Sequence, residues 1–530
     1  MHAEVYSPFN RWLYLLVLFA GALTVFAFAP FDIYPLAWLT PAILFYALSK
    51  ANYKKQYFRL GWLYGIGLFG AGASWPFYAF QFANAPLLLG VGGTALFTTT
   101  VALLTTGLFG LLVSFFHHKP IFARLLIFYP AAWVLLEWTR SWFLTGFPWL
   151  YLGNSQIDTF FAAYAPMLGV LGVSLSSVLI AGALVSFLFG NSLKRTVNIA
   201  QTPNNASLSI KAVVEERFGS SIRVLSALII VLLTTTAFAL QKINWTHKTG
   251  KAINVSILQS NISQSDKLDR ERTLNSSIAL YKSMTQKSRH SDLIVWPETG
   301  LFDAFNNHMD SLILPLQNSL RRKNQVVLMG GFNINQNNQF ENSALAISRD
   351  RRQLYSKRHL VPFGEYIPLL EYVRWMDKWI TLPYSNIVSG KNDGTLQVAG
   401  QTAQMSICYE DAFGAEIIKS LPQASLLINM THDGWFTGSF EPEQHMQIAR
   451  MRSLETGRYM VRATTTGPSG IINEKGKVIA TAPNYSKKII TGKVQPFAGA
   501  TPYTRWSDWL IVGFLSVLLL IGLIGRKRHD

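Results

Sequence analysis

Eight long apolar segments constrain this chain more than any other feature of its sequence. A helix that crosses the ~30 Å hydrocarbon core of a bilayer needs about 20 mostly apolar residues. Such segments occur near residues 12–29, 34–49, 60–80, 87–116, 125–138, 163–190, 224–241 and 508–525. Two are weaker than the others, because Pro41 interrupts one and Glu137 and Arg140 lie in or beside another. The pattern predicts a polytopic α-helical membrane domain with about eight spans.

The basic residues test this count independently, because short cytoplasmic loops of membrane proteins are enriched in Lys and Arg. With the N-terminus inside, 15 of the 16 Lys and Arg residues outside residues 242–505 fall on the inner side. They are Arg11, Lys50, Lys54, Lys55, Arg59, Lys119, Arg124, Lys194, Arg195, Lys211, Arg217, Arg223, Arg526, Lys527 and Arg528. Only Arg140 falls on the outer side. We therefore expect both termini in the cytoplasm and residues 242–505 on the outer face.

The composition agrees with a membrane protein and excludes several other classes. Half of the residues are hydrophobic and 14% are charged, against about 25% charged in typical soluble domains. A single cysteine excludes a scaffold of intramolecular disulfides. The net charge is +18, but the basic residues are scattered and match no nucleic-acid-binding motif. The sequence has no H-E-x-x-H motif and no phosphate-binding loop. We therefore expect no metal, no cofactor and no nucleic-acid partner.

Residues 242–505 form a separate predicted domain, between a seven-span segment 1–241 and a C-terminal span with a basic tail, 506–530. Apolar runs typical of buried strands alternate here with helical patterns. The predicted strands are 253–259, 292–296, 325–330, 405–408, 426–429 and 459–464, and the predicted helices are 273–286, 312–323, 415–421 and 444–458. This alternation indicates an α/β domain with helices packed on its sheets. Functional groups are then expected at strand ends and in the loops beyond them.

Three places in this domain carry side chains suited to chemistry. Glu298 and Cys408 each come at the end of a predicted strand, and Lys357 precedes a second carboxylate, Glu365, by eight residues. Each has an ordinary structural explanation when taken alone, since a lone cysteine is most often a small buried hydrophobe. Together they supply a base, a cation and a nucleophile, the set that covalent acyl transfer requires.

These residues lie in motifs that resemble a known superfamily. The W-P-E block ending at Glu298, the K-x-x-L-V-P-F-G-E block beginning at Lys357 and the C-Y-E block beginning at Cys408 occur in the order found in carbon–nitrogen hydrolases of the nitrilase superfamily. The segment 443–457, with Q-H-M-Q-I-A-R-M-R-S-L-E-T-G, strengthens the match. Together with the apolar segments, nearly the whole chain resembles the apolipoprotein N-acyltransferase family of the bacterial inner membrane. The resemblance implies a monomer with an αββα sandwich domain in the periplasm.

The resemblance also implies a two-step reaction and a role for each residue. Cys408 would attack an ester of a phospholipid acyl donor, and the resulting thioester would acylate the α-amino group of a diacylated apolipoprotein. Glu298 would be the general base, and Lys357 would stabilise the oxyanion with the backbone N–H of the residue after the nucleophile. The supporting residues, beside the lysine and in the pocket wall, are Glu365, Tyr409 and Glu410. Membrane lipids are the expected surroundings of both substrates.

The loop after the 426–429 strand departs from the family pattern. Family members tend to read N-D-x-W-F-G here, whereas this chain has His432 in place of the Asn. Leu268 stands where a Trp is usual. The candidate lid or substrate-binding residues are Trp435, Phe436 and Phe363. With Gly434 and Gly438 as hinges, the aromatics of this loop could cover lipid chains, and they could equally be core residues.

Two other functions stay open from the sequence. A membrane-tethered amidase would use the same residues but would let water attack the thioester. A transporter with an outer binding domain would use Glu137 and Arg140 as intramembrane charges. A transporter has no need of the three catalytic motifs, however, and the apolar segments contain no repeated half. Acyl transfer to an amine is the hypothesis that the motifs favour.

Overall fold

The computed structural model describes residues 11–189, 205–320, 322, 324–367 and 387–524, with the backbone alone described for 205–220, Leu268 and Arg270. Several predicted features lie outside the described residues: Lys194, Arg195, the tail 526–528, and the side chains of Lys211, Arg217 and Leu268.

Each of the eight apolar segments is helical over most of its length. The helices are Trp12–Ala27, Leu36–Ser49, Lys54–Gly72, Leu87–Ser114, Ile121–Arg140, Phe160–Phe189, Asn205–Gln241 and Trp509–Ile524. Within the described residues, four stretches are long and apolar enough to cross a membrane: Leu87–Ser114, Ile121–Arg140, Phe160–Phe189 and Ser221–Gln241. Three other helices are apolar but shorter. These helices form a membrane domain.

The third apolar segment differs from the single helix predicted at 60–80. Its helix ends at Gly72, and a separate short helix, Pro76–Phe82, follows. Proline has no N–H to donate and its ring clashes with the preceding turn, so it favours the first turn of a helix over the interior. No residue of the short helix is fully buried, and the helix packs against the turn Asp433–Phe436.

The membrane helices approach closely where a small residue or a shared hydroxyl allows it. A Cβ on Gly21 would lie 2.0 Å from the carbonyl oxygen of Tyr64, so only glycine permits this helix contact. Thr24 Oγ1 lies 2.7 Å from Thr40 Oγ1 and 2.8 Å from the Tyr64 hydroxyl. These hydrogen bonds satisfy buried polar atoms that would otherwise destabilise the bundle.

The two intramembrane charges take part in packing the bundle. Glu137 Oε1 accepts hydrogen bonds from Trp133 Nε1 and from a backbone N–H, both at 3.0 Å. The guanidinium of Arg140 lies over the rings of Phe69 and Tyr151, 5.0 Å and 4.9 Å from their centroids. Both charged residues are buried. These contacts hold both side chains within the packed helices.

The described part of the α/β domain contains fourteen strands. They are β1 Thr246–Lys248, β2 Ile253–Gln259, β3 Leu293–Val295, β4 Val326–Ile334, β5 Phe340–Ser348, β6 Arg352–Ser356, β7 Thr395–Val398, β8 Gln401–Ile407, β9 Leu426–Thr431, β10 Met460–Thr464, β11 Gly470–Ile472, β12 Val478–Thr481, β13 Lys488–Val494 and β14 Phe497–Gly499. One six-stranded sheet has the order β13-β2-β3-β4-β5-β6, and the other has the order β12-β11-β10-β9-β8-β7. The central strands β2, β3 and β4, and likewise β8, β9 and β10, run parallel.

The two sheets pack face to face around one apolar core, with helices on the outside. Alternate residues such as Val255 and Ile257 of β2 meet Met430 of β9 in this core. Helix Arg270–Lys287 covers the first sheet and helix Glu441–Thr456 covers the second. The αββα sandwich predicted from the family resemblance is therefore confirmed.

The six predicted strands correspond to β2, β3, β4, β8, β9 and β10, and the other eight were not predicted. Strand β8 ends at Ile407, one residue before the end of the predicted strand 405–408, because Cys408 begins the following turn. The predicted helix 312–323 is shorter: a wide helical turn, Met309–Ile313, precedes the helix Leu314–Ser319. The helix Leu314–Ser319 has a proline in its first turn, which favours a helix start at that point.

Candidate active site

Three strand ends bring the predicted base, cation and thiol together. Glu298 lies three residues after β3, and Lys357 directly follows β6 of the same sheet. Cys408 directly follows β8 of the facing sheet. Its thiol interacts electrostatically with both Glu298 and Lys357. The two sheets thus contribute different halves of one candidate site.

The lysine is held between two carboxylates. Nζ of Lys357 lies 2.8 Å from Glu365 Oε2 and 3.9 Å from Glu298 Oε1. Lys357 is 1% exposed, and both carboxylates are buried. Burial opposes its positive charge, but the attraction of Glu365 and then Glu298 outweighs burial and raises the pKa of Lys357 above its ordinary value. The side chain is therefore a fixed cation, suited to stabilising an oxyanion.

One carboxylate oxygen of Glu298 accepts a hydrogen bond from the described part of the chain, and the other does not. Its Oε1 accepts a hydrogen bond of 2.8 Å from Asn342 Nδ2. Its Oε2 is buried and has no hydrogen-bond partner within the described residues. Burial raises the pKa of Glu298, while Lys357 lowers it and Glu365 raises it again. A carboxylate with a free oxygen and a raised pKa is suited to general base catalysis.

Asn342, which no sequence motif marks, connects the two carboxylates. Its Nδ2 donates to Glu298 Oε1 at 2.8 Å and to Glu365 Oε1 at 2.7 Å. The backbone carbonyl oxygen of Asn342 accepts a hydrogen bond from the backbone N–H of Lys357 at 2.8 Å. Asn342 lies in the polar first part of β5, in the run E-N-S, so the sequence alone gives little signal that its amide is buried and needs polar partners.

Cys408 lies in a strained backbone conformation. Its φ is +53°, a region that residues other than glycine rarely occupy, and it begins the 3-10 turn Cys408–Ala412. The residue is partly accessible. Burial and the charge of Glu298, offset in part by Lys357, raise the pKa of the thiol to about 12. The resting group is therefore a neutral thiol, and a base must remove its proton before attack.

Glu410 connects the nucleophile turn to the lysine loop. Its Oε2 accepts hydrogen bonds of 2.7 Å from the backbone N–H of Ile407 and from the Tyr355 hydroxyl. Its Oε1 accepts from the backbone N–H groups of Arg358 and His359 at 2.8 Å and 3.1 Å. These partners flank Cys408 and Lys357 in sequence, so this one carboxylate fixes the spacing of the two loops.

Tyr409 packs toward the membrane domain. Its ring stacks on Trp149 at 6.2 Å and meets Phe413 edge-on at 5.0 Å. Its hydroxyl donates to the carbonyl oxygen of Gly146 at 3.2 Å. Trp149 Nε1 in turn donates to Gln444 Oε1 at 2.7 Å. The nucleophile turn therefore rests directly on the membrane domain.

The three candidate lid residues lie outside the apolar cores of the described chain. Trp435 and Phe436 are half-buried, and Phe436 meets Trp75 of the membrane domain edge-on at 4.7 Å. Gly438 has a φ of +89°, which favours glycine. Phe363 is 54% exposed and also has a positive φ, +62°.

The short helix Gln264–Leu268 ends at Leu268 and is contacted by His432. His432 is buried and makes a hydrogen bond with Gln264, on the same short helix as Lys267. Burial, followed by the charge of Lys267, lowers the pKa of His432 well below its ordinary value. A Cβ on Gly434 would lie 2.6 Å from the imidazole ring. Lys267 Nζ donates to Thr299 Oγ1 at 2.6 Å, beside the candidate base. His432 is therefore a neutral, packed side chain.

Family models match two parts of this chain. The model described as apolipoprotein N-acyltransferase N-terminal domain matches residues 20–183. The model described as carbon–nitrogen hydrolase matches residues 254–503.

Similar proteins align with this chain over nearly its whole length. A protein of Methylococcus capsulatus called apolipoprotein N-acyltransferase is 38% identical over 518 residues, which are 97% of this chain and 96% of that protein. A protein of Nitrosomonas europaea with the same name is 36% identical over 533 residues, covering 98% and 99% of the two chains. Nit3 of Saccharomyces cerevisiae, a solved structure from branch 10 of the nitrilase superfamily, is 15% identical with a TM-score of 0.34. It covers 54% of this chain and 99% of its own.

Proposed function

This chain belongs to the apolipoprotein N-acyltransferase family and catalyses lipoprotein N-acylation, and we propose that Cys408, Glu298 and Lys357 carry out the reaction. The acyl donor is a membrane phospholipid. The acceptor is the N-terminal α-amino group of a diacylglyceryl-cysteine lipoprotein. Between the two steps the acyl chain rests on Cys408 as a thioester, and no cofactor takes part.

One observation carries the assignment of these residues: a base, a cation and a thiol from two facing sheets converge at their strand ends. The separation of 3.9 Å between Lys357 Nζ and Glu298 Oε1 supports it. The electrostatic interaction of both groups with the thiol supports it as well. The strained φ of +53° at Cys408 is a further support, because such strain concentrates at functional residues.

In the first step, Glu298 takes the proton of the Cys408 thiol as the sulfur attacks the ester carbonyl of the phospholipid. The oxyanion that forms is stabilised by Lys357 and by the backbone N–H of Tyr409. The ester C–O bond then breaks. Glu298 returns the proton to the departing alkoxide, and lysophospholipid leaves.

In the second step, the lipoprotein amine attacks the thioester carbonyl. Glu298 takes a proton from the amine, and Lys357 again stabilises the oxyanion. The C–S bond breaks, an amide forms, and the proton returns to the sulfur of Cys408. A thioester is activated toward an amine, so no further energy source is needed.

The proposal includes a location that brings both substrates to the thiol. Residues 1–241 supply seven spans, residues 242–505 form the periplasmic catalytic domain, and residues 506–530 supply the eighth span and a cytoplasmic tail in the bacterial inner membrane. The charge asymmetry of the loops supports this orientation. Trp435, Phe436 and Phe363 cover the acyl chains, and a monomer is sufficient for the reaction.

The experiment that tests this function uses the purified protein in vesicles of phosphatidylethanolamine and phosphatidylglycerol with labelled acyl chains. The acceptor is a diacylated lipopeptide with a free N-terminal amine, and the matched control is the same peptide with its amine acetylated. We expect label to enter the free-amine peptide through an alkali-stable amide and not to enter the acetylated one. Release of labelled fatty acid alone, equal with both peptides, would instead identify a hydrolase and contradict the proposal.

The pH dependence of activity follows from the same groups. The neutral thiol needs an ionised Glu298, and burial raises the pKa of that carboxyl. Activity is therefore present above this raised pKa and is lost as the pH falls through it. We expect the acid limb of kcat/KM to have a midpoint above the ordinary glutamate pKa of about 4.3. The residual activity of Glu298→Gln should show no such limb. A limb at or below the ordinary value would argue against Glu298 as the base.

A further inference from the structure

A cluster of buried charged side chains lies behind the nucleophile turn, and the proposed mechanism does not use it. Its members, which we call the charge cluster, are Asp411, Asp433, Glu441, His445 and Arg462. None of them is more than 3% exposed. Buried charges destabilise a fold unless they are paired, so the positive and negative side chains of the cluster must neutralise one another.

His445 is the centre of the charge cluster. Its Nε2 lies 2.8 Å from Asp411 Oδ1. Its Nδ1 lies 3.2 Å from Glu441 Oε1 and 3.4 Å from Asp433 Oδ1. Both ring nitrogens therefore face carboxylate oxygens, an arrangement that suits an imidazolium with two N–H donors.

Arg462 supplies the second positive charge. Its Nη1 lies 3.3 Å from Asp411 Oδ2, and its Nη2 lies 3.3 Å from Asp433 Oδ2. Burial and Arg462 oppose the charge of His445, but the charge of Asp411 and the hydrogen bonds that Asp411 and Asp433 accept from the ring raise the pKa of His445 well above its ordinary value. Burial and Asp433 raise the pKa of Glu441 to about 7. With Glu441 protonated, two cations balance two aspartates.

Asp433, Glu441 and His445 also place three potential metal-ligand atoms within 4.8 Å of one another. A divalent ion there would have to share this space with the guanidinium of Arg462, which already pairs with Asp433 at 3.3 Å. The imidazolium neutralises the carboxylates without an ion.

The charge cluster joins three parts of the candidate active site. Asp411 belongs to the turn that Cys408 begins, while Asp433 and Glu441 flank the loop with the candidate lid aromatics. The ring of Trp149, from the membrane domain, meets the His445 ring edge-on at 5.5 Å.

A hydrogen-bond relay leads from the charge cluster to the nucleophile itself. Arg462 Nη1 donates to Asn429 Oδ1 at 2.8 Å. Asn429 Nδ2 then donates to the carbonyl oxygen of Cys408 at 3.1 Å. The positive charge of His445 also favours the thiolate form of Cys408, while the negative charge of Asp433 opposes it.

We propose that His445 is a positioning residue for the nucleophile. As an imidazolium between Asp411, Asp433 and Glu441, it fixes the Cys408 turn against the lid loop and favours the thiolate during attack. This inference rests on the proposed function, because it assumes that Cys408 is the nucleophile. The charged groups that act on the thiol are then Glu298, Lys357, His445 and Asp433.

The test uses the single cysteine of the chain as its own probe. The rate of Cys408 alkylation by iodoacetamide is measured against pH in the unmodified protein and in His445→Gln, together with kcat and the KM for phospholipid. We expect His445→Gln to shift the alkylation profile upward by about one pH unit, which is about tenfold slower alkylation at a given pH. We also expect kcat to fall with little change in KM. His445→Lys, which keeps the charge, should recover part of the thiol reactivity.

The matched control is His308→Gln, which removes another histidine–aspartate pair, with a separation of 2.9 Å from His308 Nε2 to Asp303 Oδ2. It should leave the alkylation profile unchanged. An unchanged profile in a folded His445→Gln protein overturns the proposal.

If His445→Gln does not fold, hydrogen–deuterium exchange at the imidazole C2 position, read by peptide mass spectrometry, reports the ionisation of His445 in the unmodified protein. An ionisation midpoint above pH 7 supports the proposal, and one below pH 7 overturns it. If alkylation of Cys408 leaves acyl transfer intact, the proposed function itself fails, so the two failures are distinguishable.

Discussion

Cys408→Ser is expected to reduce N-acylation of a lipopeptide by about 10⁴-fold or more, the range seen when a covalent nucleophile is removed. A serine hydroxyl is nearly the same size as the thiol, but it is far less acidic and a weaker nucleophile toward an ester. The structure offers the chain no substitute, since Cys408 is its only thiol. The initial rate with labelled phospholipid in vesicles measures the effect.

The control for this substitution is a measurement that shows that the variant is folded. The turn Cys408–Ala412 is held by the carboxylate of Glu410, whose hydrogen bonds do not involve the sulfur. We therefore expect the thermal unfolding midpoint of Cys408→Ser to match that of the unmodified protein. A folded variant that retained a tenth or more of the activity would rule out a covalent role for the thiol.

Lys357→Met is expected to have the second largest effect, on both activity and stability. Loss of one oxyanion-stabilising group lowers kcat by about 10²–10³-fold. The methionine keeps the aliphatic part of the side chain but leaves Glu365 and Glu298 buried without their cation, since Nζ lies 2.8 Å and 3.9 Å from them. Breaking a buried pair in this way destabilises a protein by about 3–5 kcal/mol. Acyl-transfer rates and chemical unfolding measure the two effects.

A double variant separates these two effects. Adding Glu365→Gln to Lys357→Met removes the uncompensated charge nearest to the lost ammonium, so part of the stability should return. Activity should not return, because the oxyanion still lacks its cation. Recovery of activity along with stability would mean that the lysine acts only by holding the fold.

Much of the candidate site could be predicted because its motifs are local. Glu298, Lys357 and Cys408 each directly follow a strand or lie in a short motif, and in the structure Nζ of Lys357 lies 3.9 Å from Oε1 of Glu298. Asn342 could not be predicted in the same way. It lies in β5, whose first residues are polar and which pairs with β4 and β6, so the two carboxylates it connects are visible only in the fold.

The charge cluster was missed for a related reason. His445 and Arg462 lie in segments that were predicted as a helix and a strand, but two of their partners, Asp411 and Asp433, come from turns outside those segments. The apolar pattern of each segment predicts which residues are buried, but it does not predict which charged groups those residues contact. The apolar pattern likewise predicted one helix at 60–80, although Pro76 already indicated a helix start.

The family resemblance extends from the motifs to the whole chain. Family models match both the membrane part, residues 20–183, and the sandwich, residues 254–503, which confirms the prediction made from the motifs and the apolar segments. His432 makes a hydrogen bond with Gln264, the first residue of the short helix that ends at Leu268.

The most direct test of the account is the covalent intermediate itself. The unmodified protein is incubated with labelled phospholipid without an acceptor, and the peptide that contains Cys408 is then analysed by mass spectrometry. We predict one acyl chain on this peptide, attached through a bond that neutral hydroxylamine cleaves, and its disappearance when the diacylated lipopeptide is added. Turnover of the lipopeptide with no acyl group ever found on Cys408, or with an acyl group that the lipopeptide does not remove, would contradict the account.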